Sequence, residues 1–131
     1  MEKKMNYLSD LEFNLDTWKR ELKFHRDEMD SFQEKLEEVA TRKDLDKDAL
    51  AKLERFQNKI LRERKVISDL LHKIKEKRLN IRKADLNEPL DGRLYREQQP
   101  LRDEMRTYIK LHYDLKEQMM DFFTEWLDNK H

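Results

Sequence analysis

The chain has 131 residues, of which 44% are charged and 37% hydrophobic, with one glycine, two prolines and no cysteine. So few turn-forming residues exclude a β-rich or α/β fold, and the length fits one domain spanning residues 1–131. Basic and acidic residues number 29 each, so the net charge of zero indicates no class of charged partner. The first residues lack the apolar segment of a secretory leader, and no stretch reaches about 20 apolar residues, so we expect a cytoplasmic protein without membrane association.

The first predicted helix covers residues 6–40 and follows a row of apolar residues at alternating spacings of three and four. This heptad spacing places all of them on one side of an α-helix, as in coiled coils. Ser9 followed by Glu12 is typical of a helix N-terminus. We expect Trp18 to be buried in this row. Its members are Leu8, Leu11, Leu15, Trp18, Leu22, His25, Met29, Phe32, Leu36 and Val39.

The second predicted helix covers residues 45–84. Three aspartates, Asp44, Asp46 and Asp48, cluster where the positive end of its dipole would lie. Its heptad row is interrupted by the charged residues Glu63 and Lys77. The apolar members are Ala49, Leu53, Phe56, Ile60, Ile67, Leu70, Ile74, Ile81 and Ala84.

The third predicted helix covers residues 93–128, and its start falls within a stretch from 87 to 100 that contains Pro89, Gly92 and Pro100. A short helix from about Leu90, kinked or broken at Pro100, is an alternative to a loop. The heptad row of the third helix consists of Leu101, Met105, Tyr108, His112, Leu115, Met119, Phe122 and Trp126.

Three helices with two short connections predict an all-α fold, an elongated up-down-up antiparallel three-helix bundle held together by heptad seams. The alternative is an extended coiled-coil dimer, in which the first helix pairs with its copy in another chain.

One histidine or glutamate occupies the heptad row of each helix: His25, Glu63 and His112. Antiparallel packing would bring all three to one layer near the middle of the bundle. One interpretation is a hydrogen-bonded layer in which Glu63 accepts from both histidines and fixes the register of the helices. The other is a zinc or iron site, because two imidazoles and a carboxylate form a common ligand set. We favour the first interpretation, and so predict neither a metal nor another cofactor.

The second helix is basic from Arg62 to Lys83, which is compatible with nucleic-acid binding. We favour pairing of these cations with the acidic first helix, since no aromatic residue in the stretch could stack on bases. Nucleic acid is therefore the less favoured partner.

A second apolar stripe runs along the third helix beside its heptad row, and two phenylalanines of the first helix also lie away from its row. These residues predict either an interaction surface or a wider core. They are Ile109, Tyr113, Met120, Phe123, Leu127, Phe13 and Phe24. Neither a Gly-rich phosphate loop nor a His-Glu-x-x-His motif is present, so we expect no enzymatic activity. The favoured function is protein–protein interaction, with a homodimer as its simplest form, and a metal-binding bundle is the alternative.

Overall fold

The computed structural model describes residues 2–84 and 92–128, with side chains for 7–83 and 92–127. Helix α1 spans Glu2–Ala40, α2 spans Lys47–Ala84 and α3 spans Arg93–Phe123. One π-helical turn, Thr124–Asp128, extends α3. Within these ranges there is no strand, and the three helices pack on one another as an antiparallel bundle, so the all-α prediction is confirmed. None of the described helices combines the length and apolar character that crossing a membrane requires.

Helix α1 begins several residues before the predicted position, so Ser9 lies inside the helix and does not cap it. Contacts with the rest of the bundle account for the longer helix. The hydroxyl of Tyr7 accepts a hydrogen bond from the backbone N–H of Tyr95 at 3.0 Å, and Leu8 packs against the core. These tertiary contacts stabilise the first turns without a capping box.

The connection between α1 and α2 ends at Asp46. Its carboxylate accepts a hydrogen bond from the Ala49 backbone N–H at 2.8 Å, and its carbonyl accepts one from Leu50 at 3.0 Å. Asp46 is therefore the N-cap of α2, which begins two residues after the predicted position.

Helix α3 begins after Gly92, whose φ of 80° is a conformation that glycine adopts without strain. The carbonyl of Gly92 accepts the first helical bond, from Arg96 at 2.9 Å. The helix continues through Pro100 without a break. The predicted start at 93 is therefore confirmed, while the alternative start at Leu90 lies outside the described residues.

The heptad rows of the three helices meet in one core, as predicted. Trp18 is an exception, because it is only partly buried and packs at the core's edge. A cavity of about 420 Å³ opens beside it between α1 and α3, and its lining includes Gln98 and Met105. Helix α3 therefore leaves part of the indole uncovered.

Candidate functional site

The heptad rows bring His25, Glu63 and His112 into one layer of the core. Nδ1 of His112 lies 2.6 Å from Oε1 of Glu63, which joins α3 to α2. The imidazoles of His25 and His112 stack, with centroids 3.8 Å apart and planes inclined by 9°. Both histidines are fully buried, and Glu63 is 8% exposed.

His25 does not share the Glu63 carboxylate with His112, so the expected double acceptance by Glu63 is wrong. Stacking on His112 directs the His25 ring elsewhere, and its Nδ1 lies 3.1 Å from the hydroxyl of Tyr108. Its Nε2 is buried without a hydrogen-bond partner among the described residues, and the nearest carboxylate, Glu21, is 3.6 Å away. His25 therefore contributes to the layer by stacking and by one hydrogen bond.

Two further charged residues complete the cluster, and sequence reasoning missed both. Oε1 of Glu28 lies 3.1 Å from Nε2 of His112, and its Oε2 accepts from Nζ of Lys116 at 2.5 Å. Glu28 follows His25 by one helical turn, and Lys116 follows His112 by one turn. This spacing on the same faces was the signal that could have placed them in the cluster.

The electrostatics of the cluster favour a charged His112 and a neutral His25. Burial would lower the pKa of His112, but hydrogen bonds to Glu63 and Glu28 and their negative charges outweigh burial and raise it. Burial, together with the charge of His112, lowers the pKa of His25 to about 4. Hydrogen bonds from Lys116 and His112 lower the pKa of Glu28 against the opposing effect of burial. The two carboxylates therefore favour the protonated form of His112, and Glu28 also binds the ammonium of Lys116.

Tyr108 remains protonated throughout the ordinary pH range. Burial raises the pKa of its phenol, and the nearby charge of Glu63 raises it further. Its hydroxyl can therefore serve as a permanent hydrogen-bonding group beside His25.

Ligand atoms of His25, Glu28 and His112 lie within 4.8 Å of one another, which is close enough for a shared metal ion. The predicted ligand Glu63 is not in this set, because it binds the other nitrogen of His112. An imidazole binds a metal through a lone pair in its ring plane, and the two stacked planes here are almost parallel. One ion cannot lie in both ring planes. In addition, one carboxylate oxygen of Glu28 already accepts a hydrogen bond from the ammonium of Lys116. This arrangement fits a hydrogen-bonded layer.

Three cations of the basic stretch pair with acidic residues of the other helices. Arg64 lies 2.7 Å from Asp30 of α1, and Arg78 forms an ion pair with Asp16 of the same helix. Lys73 binds Glu104 of α3 at 2.7 Å. The two pairs with α1 are of the kind that the favoured interpretation predicts, whereas Lys73 pairs with α3 instead.

The predicted apolar surface is partly open. Tyr113, Met120, Phe13 and Phe24 are exposed, whereas Ile109 and Leu127 are partly buried against the core. Phe123 is only 3% exposed, so its assignment to an open surface is wrong. Its ring packs near Phe32 of α1, at a centroid distance of 6.1 Å. The core widens at this end of α3 to take in both Phe122 and Phe123.

A second apolar surface, which sequence reasoning missed, is a groove of about 780 Å³ between α2 and α3. Its floor includes the buried residues Leu70 and Leu115, and above them Val66 is 42% and Leu111 62% exposed. Val66 and Leu111 each sit one position before a residue of the heptad row. That placement beside the heptad rows was the available signal.

The two edges of this groove carry opposite charges. The α2 edge has Lys59 and Arg62, while the α3 edge has Asp103, Glu104 and Asp114. Within one chain, the basic α2 edge and the acidic α3 edge are therefore complementary in charge.

No protein-family model, curated protein or solved structure matches this chain.

Proposed function

We propose that this chain is a non-enzymatic helical bundle that acts through protein–protein contacts, and that its first partner is another copy of itself. The observation that carries the proposal is the α2–α3 groove, where Val66 and Leu111 are exposed above buried leucines. Exposed apolar side chains gathered at one groove are typical of surfaces that another protein covers. A net charge of zero leaves little long-range repulsion between copies.

The α1–α3 face offers a second place for such contacts. Phe24 and Tyr113 flank His25 from α1 and α3, with ring centroids 6.1 and 5.7 Å from its imidazole. Met120 lies about two helical turns beyond Tyr113 on α3 and is 47% exposed. The cavity between α1 and α3 beside Trp18 is about 420 Å³, against about 780 Å³ for the α2–α3 groove, so we place the principal contact between α2 and α3.

Light scattering or sedimentation equilibrium over a wide concentration range tests the proposal. We expect the wild type to self-associate and Leu111→Glu to be a folded monomer, because a carboxylate would have to be desolvated in the contact. Leu61→Glu is the matched control, since Leu61 is 64% exposed on α2 and does not line the groove. That variant should associate like the wild type.

Met120→Glu tests the other face in the same experiment. Dissociation by Met120→Glu alone would keep self-association and move the contact to the α1–α3 face. A wild type that remains monomeric at every concentration would overturn the proposed function.

A further inference from the structure

We infer that the α2–α3 groove is covered by the same groove of a second copy, related by a two-fold axis parallel to the bundle axis. The inference rests on the proposed self-association and adds the arrangement of the two copies. In this arrangement α2 of each copy faces α3 of the other, and the four helices enclose the exposed side chains of Val66 and Leu111.

Charge selects this orientation of the axis. A two-fold axis along the bundle places Arg62, on the α2 edge, opposite Asp114 on the α3 edge of the other copy. A two-fold axis across the bundle would place α2 against α2 and α3 against α3, so like charges would meet. Like charges facing each other oppose association, whereas opposite charges favour it and fix the register.

The contacts within one chain set the levels at which residues of the two copies meet. Glu63 lies level with His112, and Lys73 lies level with Glu104. An axis parallel to the bundle keeps every residue at its level. Val66 of one copy therefore lies within about one helical turn of Leu111 of the other, and Arg62 within about one turn of Asp114.

This register gives the contact an apolar centre and charged edges. The two copies of Val66 and Leu111 occupy the middle, while Arg62 and Asp114 lie at the margin of the groove, where both are exposed. An apolar centre surrounded by polar residues is the usual composition of a specific protein interface. The two-fold axis produces the Arg62–Asp114 pair twice, so both pairs respond to one substitution.

Charge reversal tests this pairing. We expect Arg62→Glu alone, and Asp114→Arg alone, each to raise the dimer Kd about tenfold, because each creates two like-charge contacts. An equimolar mixture of the two variants should recover wild-type association as a heterodimer. Each of its contacts then joins opposite charges, Glu with Arg at one and Arg with Asp at the other.

Lys65→Glu is the control for charge change, because Lys65 is exposed on α2 and does not line the groove. Its Kd should equal that of the wild type, and circular dichroism should show that every variant is folded. Failure of the mixture to recover association, or single variants as tight as the wild type, would overturn this arrangement. The proposed self-association would still stand or fall separately, on the wild-type mass and on Leu111→Glu.

Discussion

His112 is held by Glu63 in the middle of the bundle, at 2.6 Å from Nδ1 to Oε1, with the imidazole fully buried. Its second nitrogen lies 3.1 Å from Glu28, so one side chain of α3 binds both α2 and α1. Sliding any helix by one turn, about 5.4 Å, would separate these groups and leave buried charges unpaired. The layer therefore specifies how the three helices align.

We predict that His112→Ala lowers the free energy of unfolding more than Glu63→Ala, and Glu63→Ala more than His25→Ala. Removing His112 leaves two carboxylates without their shared donor, and removing Glu63 leaves one buried imidazolium with half its partners. Breaking such a buried pair costs about 3–5 kcal/mol. His25 has one hydrogen bond in the cluster, to the neutral Tyr108. Urea unfolding measures the order.

The control for this series is His72→Ala, which breaks an exposed His–Glu pair with Glu76. Its unfolding midpoint should equal that of the wild type, because exposed pairs contribute little. Glu63→Leu is a separate case. If the leucine fills the space, the variant can be as stable as the wild type or more stable, but the helices lose a polar contact that fixes their register. Equal midpoints for His112→Ala and the wild type would contradict the role assigned to the layer.

The pKa shifts of His25 and His112 predict that the free energy of unfolding is greatest near pH 6.5. Stability is lost on each side of this pH for a different reason. The folded pKa of His25 is about 4, below its ordinary value of 6.5, so the unfolded chain binds more protons between these values. Stability therefore falls as the pH falls from 6.5 to about 4, by roughly 3 kcal/mol. The pKa of His112 is raised above 6.5, so the stability that it contributes is lost as the pH rises through that higher pKa.

Unfolding free energies measured from acid to mildly basic pH separate the two effects. His25→Gln should flatten the profile between pH 4 and 6.5, and His112→Gln should flatten the decline above 6.5. Because the charge of His112 helps to lower the pKa of His25, the acid loss should also shrink in His112→Gln. A wild-type profile without slope on either side would refute both assignments.

Substitution by glutamate should destabilise the protein at Phe123 but not at Met120. Phe123 is 3% exposed and packs against Phe32, so Phe123→Glu places a carboxylate in the core and should destabilise by several kcal/mol. Met120 is 47% exposed, so Met120→Glu should unfold at the wild-type temperature. Thermal unfolding by circular dichroism compares them. Similar melting temperatures for both variants would place Phe123 outside the core.

The fold could be predicted because the heptad rows repeat over whole helices and need no special local geometry. His25, Glu63 and His112 could be placed in one layer by counting along the helices. The partners of each histidine could not, because they depend on ring rotation and on residues one turn away, such as Glu28 and Tyr108. The α2–α3 groove could not be predicted for a related reason. The sequence shows that Leu111 lies beside the heptad row, but it does not show how far apart the helix axes lie.

Arg42 holds the end of the α3 segment against the α1–α2 connection, and its loss should loosen that end. Its guanidinium donates to the Trp126 carbonyl at 3.1 Å and binds both oxygens of Asp44, at 2.9 and 2.8 Å. It also lies 5.7 Å from the centre of the indole of Trp126. We expect Arg42→Ala to accelerate amide hydrogen exchange in residues 124–128, while exchange in the middle of α3 stays unchanged.

Arg42→Lys should not restore the protection, because one ammonium cannot reproduce the planar donors that reach Asp44 and Trp126 together. Lys43→Ala is the matched control, since Lys43 is the neighbouring exposed cation and its loss should leave exchange at 124–128 as in the wild type. Mass-spectrometric hydrogen exchange on a peptide that covers the π-helical turn measures all three variants. Unchanged protection in Arg42→Ala would mean that packing of Trp126, which is buried, holds this end without the arginine.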